Sequence, residues 1–226
     1  MKWNKRAFGA AGVTEFPPGP NLERLDNRKI YVTMPGFDNI GEILISMNVK
    51  FEAFDGSYDC ALLFINCGTP DQIVPSDLAD FVSNGGCVYA SDHVDATIAS
   101  AFPQLLAFGG HQGNSGPVKT SVVDPELIEL IGRELTIDFD MGSWATILPG
   151  KGEVILQSRD RGVDRPLMVY AEYGKGAVFY TSFHNKAQTS AEEKRLLQLL
   201  VLKQLSVSTH STLKQTGDSL GISVRL

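Results

Sequence analysis

The chain has 226 residues, 43% hydrophobic and 20% charged, enough apolar material to bury a full core in one soluble globular domain. Its net charge of -6 is unevenly spread: residues 1–29 hold six Lys or Arg against three acids (+3), residues 206–226 hold two against one (+1), and the body is left at -10. An acidic body argues against a nucleic-acid surface, which needs clustered Lys and Arg, and no run of eighteen apolar residues exists to span a bilayer.

Three cysteines, Cys60, Cys67 and Cys87, lie in or beside apolar runs, without the pairing of a disulfide framework or the spacing of a zinc site. The N-terminus is basic but has no unbroken apolar core of signal-peptide length. A reducing, cytoplasmic setting is expected. Residues 1–28, rich in Gly and Pro ("FPPGPNLERL"), read as an arm, residues 29–205 as the folded domain, and the polar residues 206–226 as a tail without a clear element.

Along the body, "KIYVTM" reads as a strand, and Asp38 as the cap of a helix carrying Ile40, Ile43, Leu44 and Met47 at helical spacing. "VKFEAFD" alternates like a strand near a sheet edge, whereas "CALLFIN" is apolar throughout, as a central parallel strand covered on both faces should be. Ser76 is placed to cap a helix with Leu78, Phe81 and Val82 on one face, ended by Gly85–Gly86. The strand "CVYA" runs into Ser91-Asp92-His93 and a helix that stops before Pro103. From about 107 to 172 the rhythm becomes β-rich, an insertion or an antiparallel extension of the sheet. "GAVFYTSF" then restores the strand pattern ahead of a final amphipathic helix. The expected fold is α/β: a three-layer sandwich with a mainly parallel central sheet.

In such sheets sites form beyond the carboxyl ends of the strands. Three strand ends carry chemistry here: Asn66-Cys67-Gly68, Ser91-Asp92-His93 and His184-Asn185. The order "DLADFVSNGGCVYASDH", about ninety residues, then "GKGAVFYTSFHN" before the last helix resembles the class I glutamine amidotransferase-like superfamily, including its ThuA-like relatives, over roughly residues 29–205. The resemblance implies a flavodoxin-like sandwich. It also implies a nucleophilic Cys at the turn after "CVYA" and a His-Pro-Glu run at His184-Asn185-Lys186. Here Ser91 or Asp92 stands at the turn and Lys186 at the position of the acid, so a degenerate triad is expected, with His184 the one match.

The remaining residues admit two readings each. Ser91 is a nucleophile for His184 or a helix cap; Asp92 positions a water or binds a metal, or only complements a helix dipole. Cys67 is a reactive thiol in an oxyanion-type loop or a buried structural residue. Cys87 should pack within its strand. Asn66, Gly68, His93, Asn185 and Trp144 are candidate ligand-binding residues, Trp144 with a core reading beside it. His93 with Asp92 and His184 makes a candidate metal set, but neighbouring residues in a helical turn point about 100° apart and seldom reach one ion, so neither a metal nor another cofactor is expected. "GGHQGNSG" lacks the Gly-Lys-Ser/Thr junction of a phosphate loop. Three functions follow: a non-glutaminase domain binding a small polar ligand or protein partner, a hydrolase using Ser91 or Cys67 with His184, or a scaffold acting through its arms.

Overall fold

A strand buried on both faces sends alternate side chains into two different cores, which is why its sequence shows no polar alternation. The computed structural model, which describes residues 29–69, 72–160, 163–188, 190–209 and 211–222, is organised on this rule. The expected N-terminal arm lies outside the described residues. In β1 (Ile30–Val32), β3 (Leu62–Ile65), β4 (Cys87–Ser91) and β11 (Gly176–Thr181), Ile30, Leu62, Phe64, Tyr89 and Phe179 enter one core. Their neighbours Tyr31, Leu63, Ile65, Val88 and Tyr180 enter the other.

Helices α1 (Ile40–Ser46) and α5 (Ala191–Ser208) cover the first face, and α2 (Pro75–Ser83) and α3 (Asp95–Ala101) the second. The result is the expected three-layer α/β sandwich. Its parallel half runs β2 (Glu52–Ala53), β1, β3, β4, β11, with β2 on the edge as its short alternating sequence predicts. The β-rich stretch is an antiparallel extension rather than a separate insertion. β10 (Val163–Tyr173), β9 (Glu153–Asp160), β6 (Gly116–Val122) and β7 (Glu134–Phe139) continue the same nine-stranded sheet beyond β11. The strands β5 (Ala107–Gln112) and β8 (Trp144–Leu148) pair apart from it, and Ala145 and Ile147 of β8 fill the second core.

Three local expectations are corrected. Ser76 lies inside α2, whose N-cap is Val74 with Pro75 in the first turn, a place where the missing N–H costs nothing. The tail is not featureless: α5 runs to Ser208, and Thr212 and Gln215 form a capping box that starts α6 (Leu213–Ser219). Leu213 and Leu220 then join the first core. Asp38 caps no helix. α1 starts instead at Asn39, and the Ile40 N–H is accepted by Asn66 Oδ1 at 2.9 Å, from the end of β3.

The Asp38 carboxylate is fully buried and joins two distant loops. Its Oδ1 accepts the N–H groups of Asn39 (2.8 Å), Asn185 (2.9 Å) and Lys186 (3.2 Å), and its Oδ2 accepts Asn185 Nδ2 at 2.8 Å. A buried carboxylate is tolerated only when its lone pairs are filled in this way. The loop also presses on the end of β3: Phe37 N–H donates to the Cys67 carbonyl at 2.9 Å, and a Cβ on Gly36 would lie 2.4 Å from that same oxygen. Asp38→Ala strands four donors and is expected to lower the unfolding free energy by about 3 kcal/mol or more, whereas Asp38→Asn, keeping an acceptor for the N–H groups, costs about 1–2 kcal/mol. Urea unfolding followed by circular dichroism measures both; equal, small losses would contradict the clamp.

Candidate functional site

Each of the three strand ends is held by backbone contacts before its side chain does anything. After β3, Asn66 spends its amide on the fold: besides accepting from Ile40, its Nδ2 donates to the Thr33 and Met34 carbonyls at 3.0 and 3.3 Å. Cys67 follows, with no exposure, its N–H donating to Ser91 Oγ at 3.1 Å. Gly68 has φ +92°, a left-handed turn that suits Gly, and it packs against Phe37. Ser91 is thus occupied as the acceptor for Cys67, and its hydroxyl is not a hydrogen-bond partner of either His184 nitrogen.

After β4 the chain turns sharply at Asp92, which adopts φ +41° although it has a side chain. Such a conformation costs about 1–3 kcal/mol and persists where surrounding contacts dictate it. Two do so: the Asp92 carbonyl accepts the Tyr180 hydroxyl, and Asp92 Oδ1 accepts the Ala145 N–H at 2.7 Å. The carboxylate is left with Oδ2 facing inward. It lies 3.2 Å from His184 Nε2 and 3.3 Å from His93 Nε2.

After β11, His184 is 2% exposed. Its Nδ1 lies 2.7 Å from Oδ1 of Asp140, in the loop between β7 and β8. Lys186, at the position the resemblance gave to an acid, is not what pairs with the ring: the antiparallel extension of the sheet supplies a carboxylate from 44 residues upstream. Nε2 points the other way, into the cluster, and is buried without a hydrogen-bond partner although Asp92 Oδ2 is near. Burial works against a charge on His184, but the Asp92 carboxylate, the Cys67 sulfur and Asp38 outweigh it and hold the imidazole pKa up at about 11.

One donor atom each from Cys67, Asp92 and His184 all lie within 4.8 Å of one another, and all three residues are buried. The rest of the expected set stands around them. His93 approaches the same Asp92 oxygen and its ring lies 4.4 Å from that of His111, which pairs with Asp95 at 3.1 Å. Asn185 is used structurally, donating to Asp38 and to the Tyr89 hydroxyl. Trp144 packs against Phe139 with ring centroids 4.5 Å apart, so its core reading holds; that stretch reaches the cluster through the backbone of Ala145. Cys87 is buried in β4 and its thiol is pushed up to about 11 by burial, which fits a packed residue. Asp140 and Asp38 were not singled out as site residues by the sequence. A cleft lined by Tyr58, Asp77 and Asn84 lies toward the other end of β4 and shares no residue with the cluster.

No family model matches the chain, and no curated protein matches it either. Solved structures do. A ThuA-like protein from Bacteroides uniformis matches with a TM-score of 0.56 at 10% identity, over 79% of this chain and 89% of that one. A GMP synthase-type protein from Thermoplasma acidophilum matches with a TM-score of 0.53 at 16% identity, over 76% and 92%. The cold-adapted β-galactosidase of Rahnella sp. R3 matches with a TM-score of 0.52 at 13% identity, and the chain spans 32% of its length. The described helices include none long and apolar enough to cross a membrane. At these identities the likeness is one of architecture: the chain has the amidotransferase-like, ThuA-like fold.

Proposed function

We propose that this is a non-glutaminase, amidotransferase-like domain that binds a small polar ligand at the carboxyl edge of its parallel strands. One observation carries the reading: Cys67, Asp92 and His184 converge there, buried, with His184 oriented by Asp140. At the strand-to-helix turn, where a glutaminase of this fold keeps its nucleophile, the left-handed residue is Asp92, whose carboxylate is already held by Ala145. The thiol that is present, Cys67, has no exposure, which is poor placement for attack on an incoming amide. Asp140 and His93, which border the cluster, have side chains 32% and 31% exposed.

A second reading is favoured by a specific contact. Cys67, His184 and Asp140 stand in the order nucleophile, base and orienting acid, as a thiol hydrolase requires. Here the Cys comes from the loop after β3 rather than from the turn after β4. The two readings separate on turnover.

For the ligand-binding reading, purified protein should release no ammonia from glutamine above the buffer blank, and activated thioesters and amides should likewise go uncleaved. Turnover that Cys67→Ser abolishes would replace it with the hydrolase. In a thermal-shift screen of small polar compounds, a ligand at about 100 times its Kd stabilises the fold by about 2.7 kcal/mol, or roughly 5–10 °C for a domain of this size. The shift is expected to vanish in His184→Gln; a shift of equal size in that variant would place the ligand elsewhere.

A further inference from the structure

We propose that Cys67 Sγ, Asp92 Oδ2 and His184 Nε2 form a three-ligand site for a divalent transition-metal ion, with Zn2+ the best match. The inference rests on the reading of this edge as a ligand site and names the ligand's class. It goes against the expectation drawn from the sequence, where Asp92, His93 and His184 were the candidate set and Cys67 was not among them. The donors come instead from three strand ends that share no local pattern.

Geometry distinguishes a metal site from a plain ion pair. A buried imidazolium bridging two carboxylates would aim its Nε2–H at Asp92 Oδ2. The two atoms are 3.2 Å apart, yet no hydrogen bond forms between them. Ligands about 2.0 Å from zinc at the tetrahedral angle are about 3.3 Å apart, and they point at the ion rather than at each other. The Cys67 donor lies within 4.8 Å of both. His184 Nε2 is therefore a buried polar atom without a well-formed hydrogen bond, beside a sulfur and a carboxylate oxygen.

The surrounding contacts match what a metal ligand needs. Asp140 Oδ1, 2.7 Å from Nδ1, accepts the Nδ1–H and orients the ring, so that release of the Nε2 proton leaves its lone pair toward the ion. The Ala145 N–H occupies Asp92 Oδ1 at 2.7 Å, which fixes the carboxylate with Oδ2 between His184 Nε2 and His93 Nε2, at 3.2 and 3.3 Å. Charge also balances: the two positive charges of the ion meet one thiolate and one carboxylate, so the buried centre is neutral, with the His184 Nε2 proton and the thiol proton of Cys67 released to solvent on binding. A thiolate and an imidazole select a borderline-soft ion over Mg2+ or Ca2+, which favour all-oxygen shells. Three protein ligands leave a fourth position open to water or to a small polar molecule.

The test is equilibrium dialysis of the chelator-stripped full chain against Zn2+ under a phosphine reductant. One equivalent per chain is expected, weakened about 100-fold or more by Cys67→Ser, Asp92→Asn or His184→Gln, and about 10- to 100-fold by Asp140→Asn. Cys60→Ser should bind as wild type does. Circular dichroism reports whether each variant folds, and Cys67→Ser, nearly isosteric, keeps the test valid if the others do not. Co2+ in place of Zn2+ should give a thiolate charge-transfer band in the near ultraviolet that Cys67→Ser lacks. The proposal is overturned by wild-type protein that takes up no stoichiometric zinc, or by zinc that binds Cys67→Ser and wild type alike. It is also overturned if zinc fails while an organic compound still shifts the melting point in a His184-dependent way; that result would leave the ligand-site reading standing.

Discussion

A single buried carboxylate sets the spacing of everything at the functional edge. Asp38 accepts hydrogen bonds from the loop that follows β1 and from the loop that follows β11, segments 147 residues apart in the chain. Desolvating it without those four donors would cost several kcal/mol, so the two loops are held together wherever the domain is folded. His184 immediately precedes the clamped Asn185, and Gly36 and Phe37 press on the carbonyl of Cys67. Fixing Asp38 therefore fixes two members of the cluster at once. The third, Asp92, is fixed from the opposite side of the sheet by Tyr180 and by Ala145.

The parallel half of the sheet was readable because each element announces itself locally. Continuous apolar runs such as "CALLFIN" occur only where both faces are covered, and the helices between them carry apolar faces at helical spacing. Local capping signals were less dependable. Ser76 and Asp38 each precede an apolar run, as a cap should, yet α1 takes its N-terminal acceptor from Asn66, 26 residues away. A side chain brought near by the fold replaces a local cap without leaving a trace in the sequence. The antiparallel half was legible only as β-rich, since pairing order depends on crossovers that periodicity does not encode.

The same limit governs the site. Strand-end reasoning named Cys67, Asp92 and His184, because polar residues directly after buried strands collect on one edge. It missed Asp140, which reaches His184 only through the order β11, β10, β9, β6, β7. With Lys186 in the place of the expected acid, the sequence made His184 look unsupported. The fold shows the imidazole with a carboxylate at Nδ1 and a sulfur and a second carboxylate near Nε2. A carboxylate beside a sulfur and an imidazole, buried together, is stable when a counter-charge joins it: a proton on the imidazole, or a cation between them. The proposed site takes the second course, a cation between them.

That choice is decided most directly by anomalous diffraction at the zinc absorption edge from crystals of the full chain grown with Zn2+. The account predicts one peak inside the cluster, about 2.0 Å from His184 Nε2 and about 2.3 Å from Cys67 Sγ. Density showing no ion there, with the His184 Nε2–H hydrogen-bonded straight to Asp92, would contradict it.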